Sequence, residues 1–426
     1  MTGTVVIGGG AAGIAAARTL HDAGEDVLLV EAKGRLGGRA HSMALSSLVA
    51  TDAALPDWVV PLLDDRHVDL GCGWLHSASR NPWTGIAERE GLAVDRSSPH
   101  WHEQWQDLGF PADDQRAFGE AFGGWQQAAY KAAAGPDRSL ASIPADPRWR
   151  PMLDAISGYA NGAQLRDVSL HDWHAYDDAS DDDNWAVVEG YGTLIASHAR
   201  GSVRLGTPVR RIDHRGRTLL IETDVGTIAA ERAIVCMPSA TLGAIVFDPP
   251  LPDKQDAAAA LPLGLADKVF IAVDRPDWPA HAHLVGDPNR VCTASHRLSP
   301  FGWPIVESFF GGDCAEALED EHAACAFAVD ELVALLGSDW RARLHPLAAT
   351  RWRHEPFIGG SYSHALVSRA GERQVLAEPV DDRLFFAGEA CSRTDFSTAH
   401  GAYQTGVDAA RAVLALRTEV AIQAGA

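Results

Sequence analysis

The chain has 426 residues, 46% of them hydrophobic and 22% charged, and its formal net charge is −21 at pH 7. This length exceeds what one hydrophobic core ordinarily serves, so we expect two domains. The acidic charge argues against nucleic acid as a partner, because phosphate binding depends on an excess of Lys and Arg. No stretch approaches the ~20 consecutive apolar residues that cross a bilayer, so we expect no membrane segment.

The six cysteines are scattered and form no Cys-x-x-Cys pair. This pattern favours a reducing compartment and argues against structural zinc and a disulfide framework. We therefore expect no metal site and a cytoplasmic protein. The first motif begins at residue 4, so we expect no signal peptide.

The first forty residues carry the pattern of a dinucleotide site. Residues 4–7 predict a buried strand, residues 14–21 have helical spacing, and residues 27–30 predict a second strand that ends in Glu31. The turn after the first strand reads Gly8-Gly9-Gly10-Ala11-Ala12-Gly13. These features agree in their required order, so an incidental glycine turn is a poor alternative.

Each part of this motif has a physical role. Gly8 permits the tight turn, and Gly10 lets the backbone approach a pyrophosphate at the positive N-terminus of the helix. Gly13 lets the helix pack close to the strand. Glu31 can accept hydrogen bonds from both hydroxyls of an adenosine ribose.

A basic loop follows Glu31 directly. Its adjacent glycines, Gly37 and Gly38, lie between Arg35 and Arg39. Because glycine has no side chain, they would let a second stretch of backbone approach a phosphate closely, with Arg39 as the counter-charge. A solvated basic loop is the alternative, but such a loop would not need paired glycines.

The remaining chain alternates helical and strand patterns. In chain order we predict a helix at 117–134, an acidic surface loop at 171–184, strands at 203–205 and 209–212, a hairpin of 218–223 and 227–230, strands at 232–237 and 268–273, a helix at 319–336 with Gly337 as its cap, a strand at 384–387 and a helix at 402–417. Nucleotide-binding elements thus lie at both ends and in the middle. We expect a nucleotide domain from residues 1–78, 186–262 and 377–426, and a second domain from residues 79–185 and 263–376.

Four further patches, taken with the glycine motif, resemble the flavin-containing amine oxidase family. That family includes monoamine, polyamine and L-amino-acid oxidases and histone lysine demethylases. The patches are Asp69-Leu70-Gly71-Cys72-Gly73-Trp74-Leu75-His76, Gly264-Leu265-Ala266-Asp267-Lys268-Val269-Phe270, Gly359-Gly360-Ser361-Tyr362-Ser363, and Phe386-Ala387-Gly388-Glu389-Ala390 with Thr398-Ala399-His400-Gly401-Ala402. The resemblance covers most of the chain, in order. It implies FAD and an α/β fold, with a Rossmann-like FAD-binding domain and a discontinuous α+β substrate domain.

The resemblance also implies which residues contact FAD. Lys33 would lie near the ribose, Arg39 at the pyrophosphate, and Val209 against the adenine through its backbone. Glu389 would lie at the ribityl or pyrophosphate region. The backbone around Ala399 would face the pyrimidine end, where a helix N-terminus stabilises charge on the reduced ring. The expected cofactor residues are Gly8, Gly10, Ala12, Gly13, Glu31, Lys33, Gly38, Arg39, Val209, Gly388, Glu389 and Ala399.

The same resemblance implies catalytic roles for Lys268 and Tyr362. Lys268 matches the family lysine that holds a water against flavin N5; an ordinary exposed lysine is the alternative. Tyr362 matches the first tyrosine of the monoamine oxidase aromatic cage, whereas Thr398 occupies the second position. Ser361 replaces the cysteine that attaches flavin in monoamine oxidases, so we expect noncovalent FAD.

Trp74, Trp352, Tyr362 and Thr398 are the expected substrate contacts, with His76 either a substrate-side group or a satisfied structural histidine. A dry aromatic pocket lowers the pKa of an amine, normally about 10.4 for a lysine-like group, and frees its lone pair. The amine would pass a hydride equivalent to flavin N5, the imine would hydrolyse, and O2 would reoxidise the flavin to give H2O2. The patch around Trp74 has no arginine for an α-carboxylate, so we expect an amine without one.

Three alternatives stay open at this point. One is a dehydrogenase that uses an acceptor other than oxygen. A second is a flavin desaturase acting on C–C bonds, which Lys268 and the Gly-Gly-Ser-Tyr patch argue against. A third is a binding protein that holds FAD without turnover, which Lys268 and Tyr362 argue against. The sequence leaves the amine and the oligomeric state open.

Overall fold

The structure is a computed structural model that describes residues 2–49, 56–59, 61, 66–318 and 320–425. Its strands in these ranges are β1 (Thr2–Ile7), β2 (Val27–Val30), β3 (Ser42–Ala44), β4 (His67–Asp69), β5 (Val94–Asp95), β6 (Ala186–Val187), β7 (Ser202–Arg204), β8 (Val209–Asp213), β9 (Leu219–Thr223), β10 (Gly226–Val235), β11 (Val246–Asp248), β12 (Ala266–Val273), β13 (Ala282–Val285), β14 (Ser295–Leu298), β15 (Ile305–Gly311), β16 (Leu344–Ala349) and β17 (Leu384–Phe386).

The α-helices in the same ranges are α1 (Ala11–Asp22), α2 (Pro82–Glu90), α3 (Ala112–Ala133), α4 (Arg150–Asn161), α5 (Leu170–Ala179), α6 (Tyr191–Ser197), α7 (Ser239–Leu242), α8 (Pro252–Ala259), α9 (Asp313–Ala317), α10 (Glu321–Leu336), α11 (Glu372–Ala377) and α12 (Ala399–Gly425). None of the described helices is both long and apolar enough to cross a membrane.

The larger sheet joins strands from three separate parts of the chain. Its order is β11-β8-β9-β10-β1-β2-β7, and β17 also pairs with β10. Strand β1 runs parallel to β2 and β10, and β10 runs parallel to β17. Residues 5–7 and 27–30 are buried on both faces, as a covered parallel sheet requires. The predicted α/β class is confirmed.

The second sheet is antiparallel, in the order β13-β14-β15-β12-β16. One face packs against α10 through Val269, Val306 and Leu332. The opposite face packs near β3 and β4, where Phe270 joins a cluster with Val68. The strands of each large sheet fall within one of the two predicted domains, while the exact boundaries stay a prediction.

Helices α1 and α12 lie in contact, and this contact places their N-terminal halves side by side. A Cβ at Gly406 would lie only 2.1 Å from the carbonyl oxygen of Ala12, so the two backbones meet there. Ala12 belongs to the first turn of α1, and Gly406 lies about two turns into α12. The N-termini of α1 and α12 therefore lie in the same region of the molecule.

The predicted surface loop at 171–184 is wrong in its first half, because α5 runs from Leu170–Ala179. The Ser169 hydroxyl accepts from the Asp172 N–H and begins this helix. Asp172 is only 2% exposed, so this acid-rich segment includes a buried carboxylate and is not solvated throughout. The second arm of the predicted hairpin, residues 227–230, and the predicted strand at 232–237 form one continuous strand, β10.

The scattered cysteines argued against a disulfide framework, but the structure contains a disulfide that their pattern did not indicate. Cys292 and Cys314 form a disulfide with an S–S distance of 2.05 Å. Cys292 precedes β14 and Cys314 lies in α9. Their spacing of 22 residues matches no motif, and the antiparallel sheet brings them together only after folding.

Candidate active site

The glycine turn between β1 and α1 leaves one open face. Gly8 has a positive φ of 104°, and a Cβ there would lie 2.3 Å from the Cys236 carbonyl oxygen. A Cβ at Gly13 would lie 1.8 Å from the Gly8 carbonyl oxygen, so the helix needs glycine to pack this closely. At Gly10, by contrast, the nearest atom is the Gly37 carbonyl oxygen at 3.9 Å.

Gly10 is also the N-cap of α1, and no side chain caps the helix there. The first N–H groups of a helix need partners, and an anion is a suitable one because the helix dipole is positive at this end. An open glycine beside an uncapped helix N-terminus fits a pyrophosphate. The Gly9 N–H donates instead to Glu31 at 2.5 Å.

Glu31 is 7% exposed and holds the ends of two loops. Besides the Gly9 N–H, its carboxylate accepts from the Lys33 N–H at 2.7 Å. The Lys33 ammonium pairs with the Glu355 carboxylate, which belongs to the predicted second domain. A buried carboxylate at the end of β2 fits the predicted ribose contact.

Two further predicted cofactor residues lie beside this turn. A Cβ at Gly38 would lie 3.2 Å from the Gly10 Cα, so this loop passes close to the glycine motif, while its contact with a phosphate stays a prediction. The Thr207 N–H donates to the Glu31 carbonyl oxygen at 2.8 Å. This contact brings Val209, the first residue of β8, close to the end of β2.

Arg39 and Glu389 form an ion pair between two predicted cofactor loops. Arg39 Nη1 lies 2.9 Å from Glu389 Oε1 and also donates to the Ser361 carbonyl oxygen. The other Glu389 oxygen accepts from the Ser363 hydroxyl at 2.6 Å and from the Ser397 N–H at 2.9 Å. Burial opposes ionisation of Glu389, but Arg39 and these donors outweigh it and hold its pKa below the usual value.

A buried ion pair that sequence reasoning missed supports this network. The Arg373 guanidinium is 1% exposed and contacts both oxygens of Asp172, at 2.7 and 2.8 Å. It also donates to the Ser363 hydroxyl at 2.9 Å, so Ser363 links Arg373 to Glu389. Asp172 and Arg373 are 201 residues apart, and no local pattern links them.

The N-terminus of α12 is built from predicted site residues. The Thr398 hydroxyl accepts from the Gly401 N–H at 3.0 Å, so it caps the helix. Thr398 is 5% exposed, whereas Ala399, the first helical residue, is half-buried. The Gly388 N–H donates to the Thr405 hydroxyl at 3.1 Å, which ties the end of β17 to the same helix.

Lys268 is buried, so the reading of an ordinary exposed lysine is wrong. Its side chain is 8% exposed, and its Nζ lies 2.8 Å from the Asp69 carbonyl oxygen and 2.5 Å from Glu307 Oε1. A Cβ at Gly73 would lie 3.4 Å from Nζ, so glycine keeps this side of the lysine open. Glu307 carries no motif, and sequence reasoning missed it.

The three predicted aromatic contacts differ in their surroundings, and Trp74 is the one that lines a cavity with this lysine. Trp74 lines the same cavity as Lys268, with the Arg297 guanidinium 4.4 Å from its ring centroid. Trp352 is 5% exposed, and a Cβ at Gly71 would lie 3.0 Å from its ring. Tyr362 is half-buried, and desolvation raises the pKa of its hydroxyl well above the usual value.

His76 is a neutral group with one ring nitrogen already in use. Its Nδ1 lies 2.6 Å from the Asn184 side-chain oxygen. Burial lowers the pKa of His76 to about 4, which outweighs the opposing effect of Asn184. At neutral pH the ring is therefore uncharged, and Nδ1 is the nitrogen that donates.

Comparison with known proteins gives matches that cover most of this chain. The family model for flavin-containing amine oxidoreductases matches residues 11–116 and 117–414. Polyamine oxidase 2 of Arabidopsis thaliana is 29% identical, with 95% of this chain and 86% of that protein covered. Lysine-specific histone demethylase 1 homolog 2 of Oryza sativa subsp. japonica is 28% identical, but this chain covers only 56% of it. A solved putrescine oxidase double mutant with redesigned cofactor binding matches the fold over 97% of this chain and 99% of its own, with a TM-score of 0.74 and 17% identity.

Proposed function

The chain belongs to the flavin-containing amine oxidoreductases, and from that premise we propose that it oxidises the C–N bond of an amine with O2 as electron acceptor. The redox chemistry would come from FAD held at this site, which would take up a hydride equivalent from the carbon next to nitrogen. Water then hydrolyses the imine, and two electrons and two protons pass to O2 to give H2O2. The observation that carries this proposal is buried Lys268 beside the cavity that it shares with Trp74.

The residues that would hold FAD come from both ends of the chain. The open N-terminus of α1 at Gly10 suits the pyrophosphate, and buried Glu31 suits the ribose. Arg39 offers positive charge between the two loops, and its pairing with Glu389 fixes its position. The start of α12 at Ala399 suits a ring that gains negative charge.

The substrate residues act mainly by excluding water. Trp74, Trp352 and Tyr362 present aromatic surface, and desolvation favours the neutral amine, whose lone pair drives hydride loss. The neutral His76 ring adds a polar group without a charge that would repel an ammonium ion. Lys268 has three N–H donors, so after its two protein contacts one can hold a water.

The FAD should be bound noncovalently. Ser361 stands at the position of the linking cysteine, and its hydroxyl is buried without a protein partner among the described residues. Acid precipitation of the yellow protein should leave all FAD in the supernatant, as measured by its absorbance and by mass spectrometry. Flavin that stays with the washed pellet would contradict this prediction.

The substrate should be an amine that lacks an α-carboxylate. A peroxide-coupled assay should compare each amine with its α-carboxylated analogue, with D- and L-amino acids included. We expect H2O2 from amines only, with rates that rise with pH as the bound amine loses its proton. Activity on ordinary L-amino acids with inert amines would overturn the substrate class. Reduction of the flavin by amines without reoxidation in air would favour the dehydrogenase instead.

A further inference from the structure

Lys268 has a carboxylate partner on the neighbouring strand of the substrate-domain sheet. Strands β12 and β15 are antiparallel, with Phe270 opposite Glu307 and Lys268 opposite Phe309. Glu307 and Lys268 are therefore diagonal neighbours on one face, a separation that long side chains bridge. Their charged groups meet at 2.5 Å, with side-chain exposures of 15% and 8%.

The other carboxylate close to this lysine is engaged elsewhere. Asp69 contacts Lys268 only through its backbone carbonyl oxygen, at 2.8 Å. Its carboxylate accepts from the Ser42 hydroxyl at 2.5 Å and from the Tyr191 N–H at 3.0 Å. Glu307 is thus the side chain that compensates the ammonium charge directly.

Arg297 extends the row of charges along the same face. It lies opposite Glu307 on β14, and Glu307, Lys268 and Arg297 line one cavity. Burial lowers the pKa of Arg297, and the charge of Glu307 opposes that effect. Glu307 therefore lies between buried Lys268 and half-buried Arg297, two cations whose desolvation is costly without a carboxylate partner.

We propose that Glu307 is a positioning residue that sets the charge which Lys268 presents to the flavin. The inference rests on the proposed function, which places Lys268 beside the cofactor. Contacts to Glu307 and Asp69 fix two of the three ammonium N–H bonds, so the third points to the remaining open side. The carboxylate also offsets part of the positive potential that would otherwise act on the ring.

The reduction potential of the bound flavin tests this electrostatic role without any amine. Reduction adds negative charge to the flavin, so nearby positive charge favours the reduced state. In a dithionite titration with a reference dye, Glu307→Gln should shift the potential to more positive values. Lys268→Met should shift it to more negative values, and Lys268→Met/Glu307→Gln should lie between the single variants.

Two controls separate charge from general disturbance. Glu307→Asp keeps the carboxylate and should stay nearer the wild-type potential than Glu307→Gln. Glu222→Gln removes a half-exposed carboxylate from the other large sheet and should leave the potential unchanged. An unchanged potential in Glu307→Gln, or a shift in the same direction as Lys268→Met, would overturn the proposal.

Loss of FAD or of folding in Glu307→Gln also gives an answer. Removing only Glu307 leaves the buried Lys268 ammonium without a counter-charge, which lowers stability. Removing both charges takes away that desolvation cost. The double variant should then recover FAD binding and thermal stability; a double variant as unstable as Glu307→Gln would refute the pairing. If the wild-type protein binds FAD but oxidises no amine, the proposed function is wrong. The flavin reduction potentials of the variants would still test the role of Glu307.

Discussion

Replacing Lys268 with Met is expected to slow turnover by at least ~10-fold while leaving the visible flavin spectrum nearly unchanged. Methionine keeps the approximate length of the side chain but removes its charge and all three donors. The proposed water beside the flavin then loses its anchor, and negative oxygen species lose a stabilising cation. Methionine also leaves the Glu307 carboxylate without its cation, so some loss of stability is expected, and the rates are compared for protein that retains FAD.

Stopped-flow measurement of the two half-reactions shows which step suffers. Flavin reduction by an amine and flavin reoxidation by air are followed separately. Lys131→Met, at an exposed position of α3, is the matched control and should keep wild-type rates. Wild-type rates in both half-reactions of Lys268→Met would mean that the lysine is a bystander.

Replacing Arg373 with Met should lower the free energy of unfolding by about 3–5 kcal/mol, because it leaves a buried carboxylate without its cation. Asp172 is 2% exposed and would retain the Ala365 N–H as a donor, at 2.8 Å. Ser363 would lose its donor as well, so the network that reaches Glu389 should loosen. We therefore expect weaker FAD retention together with lower stability.

Chemical denaturation of the holoprotein, and of the protein after FAD removal, measures both effects. Arg116→Met breaks an exposed ion pair with Asp113 and should leave the denaturation midpoint unchanged. Arg373→Met/Asp172→Leu removes both charges and should recover part of the stability. A single variant as stable as wild type would show that the buried pair does not hold the network together.

Local sequence determined the nucleotide-binding motif because its constraints act between near neighbours. The positive φ of Gly8 is a local requirement of the turn, and Gly13 is required because a Cβ there would meet the nearby Gly8 carbonyl oxygen. The strand at 27–30 and the acidic residue that follows it are also where the sequence predicted them. Lys268 was found through a motif, and its burial agrees with a role inside the protein.

Contacts between distant segments were decided only by the tertiary structure. Glu307 lies in an ordinary strand sequence, and its partner is fixed by the register of β12 and β15. Asp172 looked like part of a solvated acidic loop, because its cation, Arg373, is 201 residues away. Thr398 matched a substrate position, yet its hydroxyl caps α12. In each case the chemistry of one side chain depends on a partner that local sequence does not specify, because folding alone brings the two together.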